Sequence, residues 1–252
     1  MNIKFYTRMG SLVLAMFASM LMQSSAYAFS MFPVRLHIDA SRNVATLSVS
    51  NPTDQDIVLQ PRVFKWTQES VGQGVPVEKL TDSTAFTIFP PLVNLKPQSK
   101  QTIRIRYNGS ISGAKEEAFR VVTENLLVKP TPGIVNFTNA ISIPLFVRAK
   151  IDQNPEIVWS AKRADKDALQ LEFNNSVGNR HIQITGLSAT KIGTGADGAP
   201  YLPVSHSFMQ YLLPNSQAVV YLDKDKVNLP AGSYRILLKT DYKELEQTVE
   251  LK

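Results

Sequence analysis

His37, His181 and His206 are the only imidazoles in the chain, and there is no cysteine. Thiol nucleophiles, disulfide frameworks and cysteine-based metal sites are therefore excluded. Each histidine has a structural explanation: His37 falls in an alternating strand, His181 beside Arg180 ahead of a strand, and His206 in a Ser-His-Ser loop. No GxSxG elbow, phosphate-binding glycine loop, HExxH or carboxylate pair set in an apolar run is present. The expectation is a binding protein and not an enzyme, with no metal and no catalytic residue. Lys and Arg number 27 against 21 Asp and Glu, a formal charge of +6, but the basic residues are scattered instead of forming a run. A nucleic-acid partner is not expected.

The elements that must carry any binding residue are strands. With 252 residues, 44% of them hydrophobic, the chain can build one large core or two small ones. Lys4 and Arg8 precede an uncharged stretch from Gly10 to Met22, which leads into Ser24-Ser25-Ala26-Tyr27-Ala28. This is the pattern of a cleavable signal peptide over residues 1–28, too short in its apolar part for a spanning helix. The expected mature chain starts at Phe29, carries +4 once the charges of Lys4 and Arg8 are subtracted from +6, and has no membrane-inserting segment. From there on, period-two alternation is broken by Pro, Gly, Asn and Asp, with almost no helical periodicity, which predicts an all-β fold. Leu47 and Val49, then Ile103, Ile105 and Tyr107, should point inward, with Arg104 and Arg106 on the solvated face. Alternation lapses between Arg148 and Pro155 and resumes near Val158. The expected domains are 29–150 and 151–252, of a size suited to two immunoglobulin-like sandwiches.

Several stretches occur in a characteristic order: Phe32-Pro33-Val34-Arg35-Leu36-His37-Ile38-Asp39, Leu47-Ser48-Val49-Ser50-Asn51, Phe89-Pro90-Pro91, and Leu95-Lys96-Pro97 running to Arg104. Glu117-Ala118-Phe119-Arg120-Val121, Ile143-Pro144-Leu145-Phe146-Val147-Arg148, Asn174-Asn175-Ser176 and Ile182 to Leu187 follow. Together they resemble the periplasmic pilus-assembly chaperones of the chaperone–usher pathway, over nearly all of the mature chain. The resemblance implies two immunoglobulin-like domains in a boomerang, a periplasmic location, and pilus subunits and an outer-membrane usher as partners. It implies no cofactor. The last strand of the first domain is lent to an incomplete subunit, a form of strand addition to an exposed edge.

Here that strand runs from Gly133 to Arg148. Its odd positions are apolar except Asn139. Ile143, Leu145 and Val147 are assigned to the protein's own core, and Val135, Phe137 and Ile141, nearer the hairpin tip, to the subunit. The family also holds the subunit's terminal carboxylate between two basic residues. Arg35 matches the first; where many relatives carry a lysine, this chain has Pro144, so Arg120 on the neighbouring strand is the candidate for the second. A proline there requires the strand to be an edge or bulged at that point. Glu117, Arg148 and Asp241 match a charged network that fixes the angle between the domains. The departure at Pro144 suggests an archaic or alternative branch over the classical one, and the lack of cysteine argues against a branch with a disulfide-linked loop. The alternative reading is a pilus subunit or adhesin-type sandwich, disfavoured because the mature chain enters a strand almost at once. Self-association of the free form is left open.

Overall fold

The computed structural model describes residues 29–69, 77–111, 113–126, 138–150, 155–195 and 198–252. The expected signal peptide, and Val135 and Phe137, lie outside the described residues. Those described form an all-β chain with one 3-10 turn at Asp165–Asp167. The first ten strands are β1 (Ser30–Phe32), β2 (Leu36–Ile38), β3 (Val44–Ser50), β4 (Ile57–Glu69), β5 (Val77–Asp82), β6 (Phe86–Phe89), β7 (Val93–Leu95), β8 (Lys100–Tyr107), β9 (Glu117–Leu126) and β10 (Ala140–Val147). They make two sheets, β1-β3-β8-β6 and β2-β10-β9-β4-β5, with β7 paired to β4. Next come β11 (Val158–Arg163), β12 (Leu169–Asn174), β13 (Ile182–Lys191), β14 (Val204–Leu212), β15 (Gln217–Leu222), β16 (Gly232–Thr240) and β17 (Leu245–Leu251). They form the sheets β11-β12-β15 and β14-β13-β16-β17.

Alternation explains the cores. Leu47 lies opposite Ile103, and Ala45 opposite Ile105, so these rungs of the β3–β8 ladder present a buried apolar face. It closes on Phe119 and Val121 of β9 and on Ile143, Leu145 and Val147 of β10, in a single cluster. A second cluster unites Leu169, Leu171 and Phe173 with Ile184, Leu187, Ile236 and Leu238. The two share no residue, and the chain passes from one to the other after Val147. Each fully buried side chain contributes about 1.5–3 kcal/mol. Arg104 and Arg106 face solvent as alternation requires. His206, by contrast, is not in a loop but within β14.

Each sandwich is also tied by a buried asparagine beyond a strand end. Asn51 Nδ2 donates to the carbonyls of Gln55, Leu95 and Lys96, and Asn175 Nδ2 to those of Arg180, Leu212 and Leu213. Gln55, Lys96, Arg180 and Leu213 lie outside the strands, and there the amide stands in for a ladder partner. Gly186 marks a register shift in β13, and a Cβ there would lie 2.5 Å from the His206 carbonyl oxygen, so the bulge admits only glycine.

The two halves of β10 are paired differently. From Leu145 to Val147 the strand has β2 on one side, parallel, and β9 on the other, antiparallel. From Ala140 to Pro144 it has β9 alone among the described strands. The Asn125 N–H donates to the Asn139 carbonyl, so odd positions of β10 turn their backbone groups toward β9 and even positions away from it. The Arg148 N–H, which reaches the Ile38 carbonyl at 2.8 Å, follows this parity. The N–H and C=O of Ala140 and Ser142 therefore face the open side. Pro144 lacks its N–H on that side, just before the β2 ladder begins, so it costs no hydrogen bond to β9.

Candidate functional site

Even positions on β9 and β10 share a face turned to the second sandwich: Ala118 lies opposite Phe146, and Arg120 opposite Pro144. Trp66, Ala118 and Phe146 are buried there against Leu213 and Tyr211 of the second sandwich. Backbone and side chain bind the two together. Gln68 Nε2 donates to the Tyr211 carbonyl at 2.8 Å, and its Oε1 accepts the Leu213 N–H at 3.0 Å.

On this floor the aromatic rings seat two guanidiniums. Arg120 lies 3.9 Å above the Trp66 ring, and Trp66 meets Tyr211 edge-on at 5.4 Å. Arg35 stands 5.4 Å from the centre of the Tyr211 ring and donates to Tyr211 Oη at 3.1 Å. Ring faces are electron-rich, and a half-buried cation over one gains about 0.5–2 kcal/mol. The row Arg35–Tyr211–Trp66–Arg120 thus puts both expected anchor residues on one face, linked through side chains 145 residues apart in sequence. Arg35 also pairs with Asp241 at 2.6 Å and donates to Gln183. Burial works against its charge, but the bonds to Asp241 and Tyr211 outweigh that and raise its pKa. Among the described residues the carboxylate nearest Arg120 is that of Glu78, in a long, partly exposed contact at 3.4 Å.

Ile141 is half-buried and packs on the edge of the first core, one residue from the open backbone groups of Ala140 and Ser142. Ile143, Leu145 and Val147 lie inside that core.

Of the expected trio Glu117, Arg148 and Asp241, the described contacts place Asp241 at the junction beside Arg35 and Glu117 on the first sandwich, with the Arg148 charge felt at His37. Glu117 pairs with Lys65 and accepts from Tyr107 Oη at 3.3 Å, on the first sandwich. The buried acid at the junction is Glu116, whose Oε1 accepts the His181 N–H at 2.9 Å and meets its Nδ1 at 2.6 Å. The reason is parity: Glu116 shares its side of the chain with Ala118 and Arg120, whereas Glu117 goes with Phe119. Asp241 serves Arg35 and accepts the Gln183 N–H at 2.8 Å. His181 stacks on Phe146 at 3.6 Å and 8°, with His37 5.7 Å from the same ring. Burial, then the positive charge of Arg148 and the nearness of His181, push His37 down to about 4. The sequence reading missed Glu116, His181, Trp66 and Tyr211. Parity with Arg120 was an available signal for Glu116; the contacts of Trp66 with Tyr211 and of His181 with Phe146 form across the junction.

Residues 28–151 match the family of pili and flagellar-assembly chaperones, in its PapD N-terminal domain. The fold is similar to the CsuC–CsuE chaperone–tip adhesion subunit pre-assembly complex from archaic chaperone–usher Csu pili of Acinetobacter baumannii. That similarity has a TM-score of 0.59 and 20% identity, covering 89% of this chain and 98% of that one. A structure of the Salmonella enterica SafA pilin in complex with the SafB chaperone gives 0.57 and 16%, covering 90% and 98%. The E. coli chaperone DraB gives 0.53 and 22%, covering 90% and 97%. At these identities the likeness establishes the two-sandwich fold. No curated protein matches the chain in sequence.

Proposed function

The chain belongs to the pili and flagellar-assembly chaperones through residues 28–151, and from that premise we propose that it is a periplasmic chaperone for pilus subunits, acting by donor-strand complementation. It captures a subunit on export, completes the subunit's sheet with its own strand, and hands it to an outer-membrane usher. The chaperone domain with its donor strand spans 29–150 and the second domain 151–252. No bond is made or broken, so no catalytic group or cofactor takes part.

The observation that carries this reading is the half-open β10. The backbone groups of Ala140 and Ser142 face a side with no neighbour among the described strands, and such an edge is a template for a further strand. Val135, Phe137 and Ile141 would fill the subunit's groove. Arg35 and Arg120, carried on the same ring-floored face, would hold the subunit's terminal carboxylate and so set the register of the added strand. Arg120 takes the place of the lysine that Pro144 excludes, directly across the ladder from it.

Co-expression with a candidate pilus subunit, followed by affinity purification from the periplasm, tests the reading. Wild type should yield a one-to-one complex, lost in Arg35→Ala and Phe137→Asp and weakened in Arg120→Ala. Recovery of no subunit, or equal recovery by all variants, overturns the site and brings the adhesin alternative forward.

A further inference from the structure

The carboxylate that Arg35 is proposed to receive has a rival inside the chain. Asp241 Oδ2 lies 2.6 Å from Arg35 Nη1, the geometry expected of a bound subunit carboxylate. Asp241 is not a loose surface acid that drifted there. Its Oδ1 accepts the Gln183 N–H at 2.8 Å and its own N–H reaches the Gln183 carbonyl at 2.9 Å, so the turn after β16 presents it toward the first sandwich. The paired side chains are only 25% and 21% exposed, which protects their attraction from solvent and salt. Arg35 Nη2 is engaged as well, by Tyr211 Oη at 3.1 Å and by Gln183. The second sandwich therefore occupies the guanidinium with an anion and two neutral acceptors.

We infer that Asp241 is a built-in competitor that holds Arg35 in the unloaded protein and must yield it when a subunit's terminal carboxylate arrives. This rests on the reading of Arg35 as an anchor. The competitor keeps the guanidinium oriented over the Tyr211 ring, so little ordering is left to do on loading. It also lowers the net affinity for the subunit, which favours later release. His181 Nε2, buried and with no hydrogen-bond partner among the described residues, lies 3.9 Å from the same Asp241 oxygen. Loading at Arg35 is thereby felt in the second sandwich.

The test uses a labelled synthetic peptide of alternating valine and threonine, made once with a free C-terminal carboxylate and once as the amide. Binding to the purified protein is followed by fluorescence anisotropy for wild type, Arg35→Ala and Asp241→Asn. Wild type should prefer the acid, Arg35→Ala should lose the preference, and Asp241→Asn should strengthen acid binding roughly fivefold with amide binding unchanged. Loss of acid preference in Arg35→Ala together with an unchanged or weaker preference in Asp241→Asn overturns the inference and leaves the anchor standing. No acid preference in wild type removes the anchor, and the inference with it. Should Asp241→Asn fail to fold, the wild-type protein still decides: the Asp241 carboxyl ¹³C resonance should move with the acid peptide and not with the amide. Equal movement with both overturns the inference.

Discussion

The two halves of β10 share a strand, a partner in β9 and an apolar odd face, yet they differ in what lies on their other side. Leu145–Val147 is flanked by β2 and β9 and contributes Leu145 and Val147 to the core. Ala140–Pro144 has β9 alone among the described strands; its Ile143 still lies in the core, but Ile141 only reaches the margin. The contrast separates holding the fold from serving a partner within eight residues. Stability should live in the second half and binding in the first.

Leu145→Ala should break the two-sided half with the largest effect. It empties a site with no exposed surface, and about 2–5 kcal/mol should be lost in urea unfolding. Acid should weaken the same half next. His37 lies opposite Phe146, and its pKa of about 4 is below the ordinary 6.5, so the unfolded chain binds the proton first. Its stabilisation is full above pH 6.5 and lost as the pH falls toward 4. Glu116 opposes the shift, while Arg148, His181 and Arg35 reinforce it. For a ring this exposed the loss is at most on the order of 2 kcal/mol, and His37→Phe should flatten urea midpoints over that window.

The one-sided half should answer differently. Ile141→Ala should cost about 1 kcal/mol of stability and lower subunit recovery by more than that loss explains. Ser142→Pro sharpens the contrast most finely: it removes an N–H that faces the open side, so urea stability should change by under about 1 kcal/mol while subunit affinity falls roughly fivefold. Equal changes in stability and binding for these two variants would erase the distinction between the halves.

How much of this the sequence discloses depends on range. Alternation in Leu47-Ser48-Val49 and Ile103-Arg104-Ile105 suffices to assign core and surface, because each choice is local to a strand. The same pattern separates Ile143, Leu145 and Val147 from the outward Ser142. At the start of β9 the adjacent acids Glu116 and Glu117 differ in parity, a local signal, but the His181 that Glu116 meets comes from the facing domain and no local pattern marks it. Trp66 and Tyr211 carry no mark of their meeting, since what joins them is the docking of two separately built sandwiches.

Pro144 has a consequence beyond tolerating its place. The parallel ladder between β2 and β10 stops at Leu36–Leu145, and the next rung would need an N–H that proline does not have. The chain's own opening segment is thus denied a means of zipping onto the vacant edge. A self-capped state, which would be soluble but inert, is disfavoured by a single missing hydrogen.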